Sequence, residues 1–136
     1  MLTSETKYGI RRTVELTYDD AVARTRDALS NEGFGILTEI DVRETLKRKL
    51  DVDFRPYIIL GACNPPLAHQ ALSAEADIGL LLPCNVVVYE ATEPNMSVVA
   101  AIDPVEQLKL TGNAAIEPIA TEVRARLERA LDAIVT

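Results

Sequence analysis

Apolar and polar positions change period several times along the chain, and each change marks an element. From Tyr8 to Leu16 the pattern alternates, with Tyr8, Ile10, Val14 and Leu16 on one side and Arg11, Thr13 and Glu15 on the other, as in a half-buried strand. Arg12 is the exception, a cation on the apolar side. Thr17 then offers an N-cap with Asp20 three positions on, and Ala21, Val22, Thr25, Ala28 and Leu29 recur at helical spacing until Gly33. Phe34, Ile36, Thr38 and Ile40 read as the buried side of a second strand, with Leu37 and Glu39 opposite. Asp41 caps a helix whose apolar stripe, Val42, Leu46 and Leu50, is narrow, and whose Arg43, Lys47, Arg48 and Lys49 form a solvated face.

The second half is more apolar. Tyr57 to Leu60 lacks polar alternation, as expected of a strand covered on both faces. Asn64 caps a short helix that Pro65 opens and Leu67, Ala68, Ala71 and Leu72 line, and Ser73 to Asp77 ends it. Ile78 to Leu82 reads as a further apolar strand, with Pro83 marking a bulge, bend or edge before Val86 to Glu90 continues it. Thr92 to Asn95 is a turn, and Met96, Val98, Ala100 and Ile102 belong to the returning strand. Asp103-Pro104 starts a short helix that Gly112 stops. Ile119, Val123, Leu127, Leu131 and Ile134 line one face of a final helix from about Glu117, long enough to cross the sheet. Strands joined by helices and then by a hairpin predict an α+β fold with a mixed or antiparallel sheet.

Composition narrows the class. The 136 residues are 48% apolar and 26% charged, which predicts one ordered domain spanning 1–136. A formal charge of -7 with dispersed Lys and Arg argues against nucleic acid as a partner. The apolar runs are far too short to span a bilayer and the N-terminus has no signal-peptide pattern, so no membrane partner and a cytoplasmic location are expected. Two cysteines in that setting are expected to be free thiols rather than a disulfide.

The segment from Tyr57 to Glu90 concentrates the candidate chemistry, with both cysteines and the single histidine. Cys63 sits at the end of a strand next to the helix cap Asn64, where the helix dipole favours a thiolate. Pro65 and Pro66 remove two amide donors there, which weakens an anion cradle. Cys84 follows the break at Pro83 and comes near Cys63 if the two segments pair. The alternative for both is to be inert buried thiols. His69 stands alone, and Glu39 and Asp41 share one side of a strand end, where an acid–base pair is possible although Asp41 is already explained as a cap. No Cys-x-x-Cys or His-x-x-x-His pair occurs, so no metal is expected. No phosphate loop, dinucleotide fingerprint or nucleophile elbow is present, so no cofactor is expected and no reaction class is identified.

At Gly33-Phe34, Glu39-Ile40-Asp41, Gly61-Ala62-Cys63-Asn64-Pro65, Gly79-Leu80-Leu81-Leu82-Pro83-Cys84 and Asp103-Pro104 the chain resembles the family called domain of unknown function 302, from about Tyr8 to Leu131. The resemblance implies a curved, mostly antiparallel sheet with helices on one side, of the TATA-binding-protein-like class, in small prokaryotic proteins that form homodimers. It implies no reaction, and fold analogy alone does not carry DNA binding. The resulting expectation is a homodimer that binds a small ligand or partner near Cys63, Asn64 and Cys84. A thiol redox or sulfur-handling enzyme using Cys63 and Cys84, and a purely structural interaction module, are the alternatives.

Overall fold

A computed structural model describes residues 2–134, with side chains described from Thr6 onward. Its elements are β1 (Leu2–Glu5), β2 (Gly9–Val14), α1 (Tyr18–Asn31), β3 (Gly35–Asp41), α2 (Val42–Leu50), β4 (Tyr57–Cys63), α3 (Pro65–Ala74), β5 (Cys84–Glu90), β6 (Ser97–Ile102), α4 (Pro104–Leu108) and α5 (Glu117–Ala133). Two 3-10 segments, Ala76–Leu81 and Lys109–Thr111, join α3 to β5 and follow α4. The strands form one antiparallel sheet in the order β1-β2-β6-β5-β4-β3.

The caps form where the sequence offers them. Thr17 accepts from the Asp20 amide, Asp41 from Glu44, Asn64 from Leu67, and Asp103 from Val105 and Glu106, each oxygen meeting an amide that the first helical turn leaves unpaired. α1 ends through Gly33 at φ 85°, a backbone conformation that carries little steric cost only without a Cβ. The inner face of the sheet, including Ile10, Val14, Leu60, Val86, Val88 and Val99, packs with Leu29 of α1 and Ile119, Val123, Leu127 and Leu131 of α5 into one core. Arg12 lies on that inner face and is buried. Its Nε donates to Asp132 at 2.9 Å and an Nη to the Arg11 carbonyl at 2.9 Å, so the charge is paired rather than stranded.

Three expectations are corrected. Ile78 to Leu82 is not a strand: the place beside β4 is taken by β5, which begins at Cys84, and the backbone before it turns as a 3-10 segment, with Ile78 in the core and Leu80 87% exposed. In β3 the register slips between Ile36 and Thr38, so Thr38 and Ile40 pair with Gly61 and Ile59 on the outer face and Ile40 is 48% exposed. β4 is covered by helices on one face only, leaving Tyr57 and Ile59 half-buried on the other. The narrow stripe on α2 is partly covered at Val42 and Leu46 and exposed at Leu50. β1, without a sequence signal, extends the sheet beyond β2. No helix among the described residues is long and apolar enough to cross a membrane.

Candidate functional site

β4 delivers Cys63 and Asn64 to the end of the sheet, and β5 begins beside them. Ala62 is the cross-strand partner of Cys84, so Cys63 lies one position from the residue opposite the second thiol. The Asn64 side chain is buried, with Oδ1 accepting from the Leu67 amide at 3.3 Å and so fixing the first turn of α3. Its Nδ2 fills the space in which a Cβ on Gly33 would stand, 2.9 Å away, so the α1–β3 turn and the start of α3 are packed against each other.

Between this sheet end, α3 and α5 lies a cavity of about 320 Å³. Cys63, Asn64 and Cys84 line its sheet side. Leu67, Ala68, Ala71 and Leu72 form the α3 wall, Ile119 and Val123 the α5 wall, and Phe34, Leu37, Leu82, Pro83, Pro104 and Leu108 complete it. No charged side chain lines it. Such a volume and such walls suit a small uncharged molecule and would exclude an ion.

Burial, and secondarily the neighbouring Cys63, push the Cys84 thiol up to about 11, so it is fully protonated at neutral pH. Both cysteines are free. A protonated, buried Cys84 is a poor nucleophile and behaves as a small apolar wall residue.

The other three candidates lie outside the cavity. His69 is exposed on α3. Glu39 is exposed and paired with Arg26, whose hydrogen bond lowers the Glu39 carboxyl from its ordinary value; it is held as a charged anion and is not poised to donate a proton. Asp41 is exposed and occupied in capping α2 at 2.9 Å from the Glu44 amide. No group of three His, Cys, Asp or Glu side chains among the described residues could hold a metal ion. The cavity walls from α3, α4 and α5 escaped the sequence reading because apolar helix positions carry no label for core against cavity. The one available signal was the doubling of apolar residues in Leu67, Ala68, Ala71 and Leu72 on so short a helix.

No curated protein matches the chain. Among solved structures it is similar to one described as "Crystal structure of uncharacterized conserved protein DUF302 from Bacillus stearothermophilus", at 29% identity over 95% of this chain and 99% of that one, with a TM-score of 0.86. The family described as "Domain of unknown function DUF302" matches residues 10–134, a span that includes the caps, both thiols and the cavity walls, and the chain therefore belongs to that family.

Proposed function

We propose that the protein binds a small, uncharged, apolar molecule in the cavity between β4, β5, α3 and α5, and that it does so as a binding protein rather than through thiol chemistry. The cavity itself carries the reading: about 320 Å³, within the range of ligand sites, and without a charged wall residue. A raised Cys84 pKa weighs against the redox alternative, since the reactive species in exchange is the thiolate. Free thiols fit a reducing, cytoplasmic setting.

The test uses 1-octanol as probe and the Cys63 thiol as reporter. Octanol is expected to slow alkylation of Cys63 by iodoacetamide several-fold, read by peptide mass spectrometry, and Ala68→Phe, which fills the cavity from α3, is expected to remove that protection. A Cys63 rate that octanol leaves unchanged in the parent protein would sink the proposal.

A homodimer is a second part of the reading. Among the described residues, the exposed large apolar side chains include Leu37 and Ile40 of β3, an edge strand, and Leu50, Val52 and Phe54 at the end of α2 and in the segment after it. An edge strand flanked by exposed apolar side chains favours pairing with a second copy.

A further inference from the structure

The sheet face without helices carries a groove whose lining differs chemically from that of the cavity beside Cys84. Register places Tyr57, Tyr89, Val98 and Thr13 in one row across four strands, and Ile40, Ile59, Val87, Ala100 and Arg11 in the next. Along β2, β6, β5 and β4 this face holds a groove of about 310 Å³. Three of the chain's four tyrosines, Tyr8, Tyr57 and Tyr89, line it. The Tyr57 and Tyr89 rings are stacked, with centroids 5.1 Å apart and planes within 5°, and the Arg55 guanidinium lies 5.8 Å above the Tyr89 ring.

Charge distinguishes this groove from a bare apolar face. The protein has 21 acidic and 14 basic residues, yet the groove lining contains one charged residue, Arg11, and no carboxylate. The Arg11 Nε is shielded from solvent and has no hydrogen-bond partner. Arg11 as a whole is half-buried, and the part of its guanidinium that borders the groove can meet an arriving carboxylate with a charge-assisted bond. Asn85 adds an amide that can meet a second oxygen. Tyr57 stacks on Tyr89 with Phe54 beside it, and Arg55 lies over Tyr89, so the tyrosines give the groove an aromatic wall against which a planar ring can pack.

We infer that this groove binds a planar aromatic carboxylate, its anionic group on Arg11 and its ring against Tyr57 and Tyr89. The site is separate from the cavity beside Cys84, shares no lining residue with it and stands or falls independently of it.

Benzoate, its neutral counterpart benzamide and the non-planar cyclohexanecarboxylate are the probes, followed by NMR of the tyrosine rings. Benzoate is expected to shift the Tyr8, Tyr57 and Tyr89 signals with half-saturation at about 1–10 mM, as fits a ligand of that size, and to leave Tyr18, outside the groove, unmoved. Benzamide and cyclohexanecarboxylate are each expected to bind about 10-fold more weakly, and Arg11→Gln to cost benzoate about 10-fold while Arg11→Lys costs less. Equal binding of benzoate and benzamide, or an Arg11→Gln protein that folds and binds benzoate unchanged, would overturn the inference. So would ring signals that move with protein concentration alone, because a second copy would then occupy the face.

Discussion

At the scale of single residues, Cys84 has the most consequential environment. It is 7% exposed, and burial raises its pKa from 9.0 to about 11. The folded state therefore prefers the neutral thiol more strongly than the unfolded chain does. Its contribution to stability is complete below the unfolded pKa and is lost as pH rises from about 9 to about 11, a difference on the order of 2–3 kcal/mol. Urea unfolding of the parent and of Cys84→Ala across that interval checks the sign. The stability gap between them is expected to narrow as pH rises, since only the parent loses this term; a gap constant with pH would show that Cys84 ionises normally in the folded state.

Between elements, the close approach of β3, β4 and the start of β5 depends on Gly61. A Cβ at Gly61 would overlap the Thr38 hydroxyl and stand 2.8 Å from Pro83 Cγ. The bulge at Ile36/Thr38 presents Thr38 to Gly61, and Pro83 comes in from the turn before β5. Gly61→Ala is therefore expected to destabilise the protein by about 1–3 kcal/mol, the cost of overpacking. Adding Thr38→Ala should recover part of that loss and not all, because Pro83 remains; thermal unfolding of both variants and of Thr38→Ala alone completes the cycle. Full recovery would mean that the proline ring yields freely.

For the whole molecule, charge and the proposed self-association meet. Two copies each carrying -7 repel at low ionic strength, where screening extends over about 30 Å, and much less at physiological salt, where it falls to about 8 Å. The dimer fraction in sedimentation equilibrium is expected to rise between about 0.01 M and 0.15 M salt. Ile40→Lys on the edge strand should weaken association by at least about 10-fold, or ~1.4 kcal/mol. A monomer at every salt concentration, or a dimer indifferent to Ile40→Lys, would remove the β3 edge as an interface.

Local chemistry made much of this legible in advance. Thr17, Asp41, Asn64 and Asp103 announce helix starts because a cap is settled within three residues, and the stripe from Ile119 to Ile134 announces a buried face because its period is that of the helix itself. Cys63, Asn64 and Cys84 stood out as polar or thiol-bearing residues inside apolar strands, and they do line one cavity. Only the tertiary structure decided the rest. Ile78–Leu82 has a strand's composition but lies outside the sheet, where β5 takes the place beside β4, and Ile40 loses its inward position to a bulge that no local pattern marks. Arg11, Tyr57 and Tyr89 lie far apart in the chain and meet through the register of four antiparallel strands, and α3 and α5 close a cavity rather than a solid core. Capping and periodicity are short-range properties of the chain, whereas register, edge occupancy and cavities depend on which distant segments pair.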